Sequence, residues 1–123
     1  MVRLTPRQFD KVLQGAIASL PERFREVLDV VPVVVDLWPG EAVCERDEDA
    51  ADLMGLFVGP PMAQWNSSDA PPETAVIYIF QRPLEDSCDT RQELAEQIRI
   101  TLFHELGHCL GFDEGGLDRI GLG

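Results

Sequence analysis

The sequence predicts an α/β (α+β) fold, a small mixed sheet beside an N-terminal helix and a C-terminal helix that carries the chemistry. Three observations support this. Apolar runs at 30–37, 53–58 and 75–80, the first of them rich in β-branched residues, have the length of strands. Apolar residues recur at helical spacing from Phe9 to Leu20 and again from Leu94 to Cys109. No internal repeat or linker divides the 123 residues, so a single domain spanning 1–123 with one core is expected.

Taken in order, Thr5-Pro6-Arg7-Gln8 is a helix start: Thr5 can cap it, Pro6 suits the first helical position, and Gln8 completes a capping box. Phe9, Val12, Leu13, Ala16, Ile17 and Leu20 then make one apolar face, and Pro21 interrupts it. A shorter helical piece is expected over 21–28, with Phe24 and Leu28 turned inward. The run Val-Val-Pro-Val-Val-Val-Asp-Leu at 30–37 is continuous rather than alternating, which predicts a strand buried on both faces. Residues 41–52 hold Glu41, Glu45, Asp47, Glu48, Asp49 and Asp52, and read as a solvated loop or short helix rather than a cation site.

A second strand is expected over 53–58, closed by Gly59-Pro60-Pro61, followed by a polar surface loop over 62–72. Ala-Val-Ile-Tyr-Ile-Phe at 75–80 is the strongest strand signal, with Pro83 ending it. Cys88-Asp89-Thr90 precedes a long helix to about residue 110, capped by Asp89 or Thr90, with Glu93 near the positive end of its dipole. At about 100° per residue, Leu94, Ala95, Ile98, Leu102, Leu106 and Cys109 share one arc, the core face. His104 and His108 lie outside that arc, and Glu105 sits at its border. Gly111 is suited to end the helix in a left-handed conformation. Leu117, Ile120 and Leu122 suggest a short amphipathic tail.

Charge and cysteines bound the setting. A formal net charge of −12 argues against nucleic acid or an anionic membrane surface as partners, and would attract cations. Cys44, Cys88 and Cys109 are too few and too scattered for a disulfide framework, which points to a reducing, cytoplasmic compartment. Arg3, Arg7 and Asp10 break any N-terminal signal pattern, and no stretch has the length of a membrane span. Self-association is left open.

The chemistry concentrates in His104-Glu105-Leu106-Gly107-His108, where the only two histidines of the chain stand one helical turn apart on one face. Both imidazoles can then reach one tetrahedral Zn²⁺, while Glu105 between them can act as general base on a water activated by the metal. Glu114, ten residues beyond His104, is the expected third ligand, with Asp113 as the alternative. Asp118 is a weaker candidate, and Cys109 reads as a buried thiol rather than a ligand. Gly107 costs helix stability, which close approach of another segment beside the metal would explain. For an oxyanion donor only Tyr78, Arg82, Arg99 and Arg119 offer themselves.

These residues resemble the small zincin-like metallopeptidase family, the minimal zincins, formerly a domain of unknown function. The likeness runs through Leu20-Pro21-Glu22-Arg23-Phe24, Leu53-Met54-Gly55-Leu56-Phe57-Val58-Gly59-Pro60 and the stretch from His104 to Glu114. It implies zinc on His104, His108 and the acid at 114, Glu105 as the catalytic residue, and an edge strand able to pair with a peptide or unfolded-protein substrate. The acidic third ligand and the nine residues after Glu114 depart from full metzincins, so no methionine turn is expected. The function expected is a zinc metallopeptidase; a zinc-binding interaction module without proteolysis is the alternative.

Overall fold

The structure, a computed structural model, describes residues 1–40, 53–65 and 75–111. Helix α1 (Pro6–Ala18) begins as its sequence dictates: Thr5 Oγ1 accepts from the Gln8 amide at 3.2 Å, and Gln8 Oε1 accepts from the Thr5 amide at 2.9 Å. This reciprocal pair satisfies two amides that a helix start otherwise leaves open. Phe9, Leu13 and Ala16 are buried on its inner face. Helix α2 (Glu22–Leu28) follows Pro21, as the spacing predicts. Its buried residue is Val27; Phe24 and Leu28, expected inside, are half-buried against the edge of the core.

Among the described residues the sheet has three strands in the order β1-β3-β2, with β1 spanning Val33–Asp36, β2 Gly55–Val58 and β3 Val76–Phe80. It is mixed: β1 runs parallel to β3 with Val33 opposite Ile77, and β2 runs antiparallel with Gly55 opposite Ile79. Ile77 and Ile79 on the central strand are fully buried. The valine run is not buried on both faces, as its continuity had suggested. Val31 is buried, but the strand itself is a sheet edge whose Val34 and Val35 are exposed, followed by Leu37 and Trp38 at 48% and 51% exposure. A continuous apolar run signals burial on both faces only where strands flank it on both sides, and among the described residues β1 has a neighbour on one side.

Helix α3 (Gln81–Asp86) was not expected. The strand stops at Phe80 and the chain enters α3 at once, with Pro83 in its first turn, where a missing amide hydrogen costs nothing. Gln81, Leu84 and Glu85 of this short helix are buried. Helix α4 (Arg91–Cys109) is the long one; Thr90 caps it by accepting from the Glu93 amide at 3.1 Å. Leu94, Ile98, Leu102, Leu106 and Cys109 are fully buried, as the angular argument requires, while Ala95 is half-buried. Helix α1 packs along α4, and β2 lies on α4 near the histidines.

The acidic stretch 41–52, most of the 62–72 loop and the tail with Leu117, Ile120 and Leu122 lie outside the described residues, although Met62–Gln64 forms a 3-10 turn. Cys88 and Cys109 are buried free thiols. Among the described residues no helix is long and apolar enough to cross a membrane.

Candidate metal centre

The last two turns of α4 bring three of the predicted residues, His104, Glu105 and His108, together. His104 and His108 are half-buried, with rings at 79° to one another and centroids 4.8 Å apart. Their Nε2 atoms face each other at 3.2 Å. Two nitrogens each about 2.0–2.1 Å from a tetrahedral Zn²⁺ would stand about 3.3 Å apart, so the separation of the pair is the one a single ion requires. Ligand atoms of His104, Glu105 and His108 all fall within 4.8 Å of one another. Nitrogen and carboxylate donors in such a cluster suit zinc.

Glu105 is buried at 8% exposure. A carboxylate withdrawn from water requires donors, and β2 supplies one: the Phe57 amide donates to Glu105 Oε1 at 2.7 Å. The sheet edge therefore reaches the residue between the two histidines. Sequence reasoning missed this contact because its donor is backbone. The available signal was Gly55, a lone glycine inside a strand pattern, which often marks close approach of another element.

Other candidates have different employment. Burial pushes the Cys109 thiol up to about 11, so it stays protonated at neutral pH and is a poor ligand, in keeping with its place on the core face. Arg82 is engaged with Glu85 at 2.6 Å, and Arg99 with Glu96 at 2.6 Å while lying over the Phe103 ring. Tyr78 stacks on Phe80 with centroids 6.2 Å apart. Gly107 is buried on α4. Gly111 takes φ +100°, the left-handed turn expected at the end of the helix, and its amide closes on His108 O at 3.0 Å. Glu114, Asp113, Asp118, Arg119 and Cys44 lie outside the described residues.

A helix bearing His-Glu-x-x-His beneath the edge of a small mixed sheet defines the zincin class. A family profile described as zincin-like metallopeptidase matches residues 28–123, and the chain belongs to that family. No curated protein matches it.

Proposed function

We propose that the protein is a zinc-dependent metallopeptidase, with His104 and His108 as metal ligands, Glu114 as the third and Glu105 as general base. The observation that carries this reading is the Nε2 pair at 3.2 Å beside a buried carboxylate. Zinc held there would supply a Lewis acid for the peptide carbonyl and an acidified water. The chain's own residues do the rest. Glu105, fixed on the Phe57 amide, accepts a proton at its carboxylate and passes it towards the leaving amine. Strand β2, an edge of the sheet among the described residues, offers the backbone groups that Glu105 does not engage to an extended peptide or an unfolded segment laid beside the histidines. The buried free thiols Cys88 and Cys109 suit a reducing, cytoplasmic setting.

Glu105→Gln tests the assignment. The variant is expected to hold stoichiometric zinc by elemental analysis and to lose hydrolysis of a fluorogenic peptide library by at least about a hundredfold. Equal turnover, or loss of turnover only together with zinc, would refute it. A second reading, a zinc-stabilised interaction module, is favoured by the engagement of Arg82 and Arg99 with carboxylates, which diverts two candidate oxyanion donors. Full zinc occupancy with no cleavage anywhere in the library would select it.

A further inference from the structure

Strand β2 approaches α4 most closely at Gly55. A Cβ built on Gly55 would stand 2.6 Å from Thr101 Cγ2, 3.1 Å from Tyr78 O and 3.5 Å from Glu105 Cγ. The Thr101 side chain is not free to swing away, because its hydroxyl donates to Gln97 O at 2.8 Å and fixes the rotamer. Two residues further along the strand, the Phe57 amide makes its 2.7 Å bond to Glu105. Restoring ordinary carbon–carbon contact at position 55 would push β2 away by about 1 Å. That would stretch the Phe57–Glu105 bond to roughly 3.7 Å, beyond hydrogen-bonding reach.

We infer that Gly55 and Thr101 are positioning residues: their contact sets the gap between the sheet edge and the metal helix, and so holds the Glu105 carboxylate on the Phe57 amide. For catalysis this rests on the reading of Glu105 as general base; the geometry of the clamp does not. Neither residue carries chemistry of its own. Thr101 lies one helical turn before Glu105, so one ridge of α4 presents both the spacer and the base to β2. A glycine at 55 lets the backbone descend onto that ridge, and the threonine methyl stops it at the height where the amide meets the carboxylate.

The test compares Gly55→Ala, Thr101→Ser and the double variant, each loaded with zinc, by exchange and chemical shift of the Phe57 amide, zinc stoichiometry, kcat and KM. Gly55→Ala should speed Phe57 amide exchange about tenfold and lower kcat more than it raises KM, with zinc retained. Thr101→Ser deletes Cγ2 but keeps the hydroxyl, so alone it should shift the Phe57 amide resonance, the stop being gone, while the 2.7 Å bond keeps the amide protected, and in the double variant it should restore both amide protection and kcat. With Gly55 and Thr101 unchanged, Glu105→Ala should expose the same amide, a measurement that holds even if Gly55→Ala fails to fold. A Phe57 amide that stays protected in Gly55→Ala or Glu105→Ala, or a double variant without rescue, would overturn the inference. If the amide responds as expected while no form cleaves any peptide, the clamp stands and the peptidase reading falls.

Discussion

Replacing Glu85 by alanine is expected to cost about 3 kcal/mol of stability. The carboxylate is fully buried, and its partners come from two directions. Oε2 accepts from the Leu4 amide at 2.8 Å and from Gln81 Nε2 at 3.2 Å, while Oε1 accepts from Arg82 at 2.6 Å with the Arg3 guanidinium at 3.8 Å. The arginines are 27% and 43% exposed, so water recovers much of their charge and that side costs about 1 kcal/mol. Leu4 is buried, and its amide, left without an acceptor, costs about 1–3 kcal/mol. The total falls at the low end of the roughly 3–5 kcal/mol seen when one partner of a buried pair is removed. For 123 residues, unfolding entropy of about 2.1 cal/mol/K per residue converts each kcal/mol into about 4 °C, so Tm should fall by about 12 °C. Glu85→Gln keeps a carbonyl oxygen for the Leu4 amide and should lose about half as much. Urea unfolding and calorimetry of the three proteins decide it. A loss below about 1 kcal/mol in the alanine variant, or a glutamine variant as damaged as alanine, would refute the view that the Leu4 amide dominates.

Alkylation of the native protein at pH 8 should leave Cys109 unmodified, since a thiol pushed up to about 11 is almost wholly protonated there, whereas the unfolded chain should be fully labelled; peptide mapping reads both. Val34→Lys, on the exposed sheet edge, should change stability by less than about 0.5 kcal/mol in urea unfolding, and a much larger loss would restore the two-face burial that the sequence suggested. Gly111→Ala should lower stability by about 1–2 kcal/mol through its φ of +100°. Gly15→Ala, in α1 with nothing within 4 Å of an added Cβ, should instead raise it by up to about 1 kcal/mol, and paired melting curves would show the two opposite signs.

Most of the fold was legible because its signals are local. The capping box at Thr5 and Gln8, the cap at Thr90 and the turn at Gly111 depend on a few adjacent residues, and each sits where the sequence put it. The His104–His108 pair was legible for the same reason: helical spacing alone sets their meeting. What the sequence misjudged depends on neighbours distant in the chain. The valines of β1 look like an interior strand until the order of the described strands places them at the edge. Helix α3 was hidden by Pro83, read as a stop although a proline is equally at home in a first turn. Gln81 and Glu85 are buried polar residues that only the N-terminal segment, through Leu4, accounts for.

The same distinction applies to α4, which packs on more than one side. It carries three neighbouring ridges, each stepping by four residues. Ile98, Leu102 and Leu106 point into the core and are fully buried. Thr101 and Glu105 face β2 at 7% and 8% exposure. His104 and His108 turn to the half-buried flank where their Nε2 atoms meet. A helix packed on one side only separates apolar from polar residues cleanly; one packed against both a core and a sheet edge must bury polar residues as well. The buried threonine and glutamate are thus the consequence of placing the histidines beside an edge strand. Packing of the core ridge fixes the rotation of α4, and that rotation aims the other two ridges, so the precision of the site is inherited from Ile98, Leu102 and Leu106 rather than from the polar groups themselves.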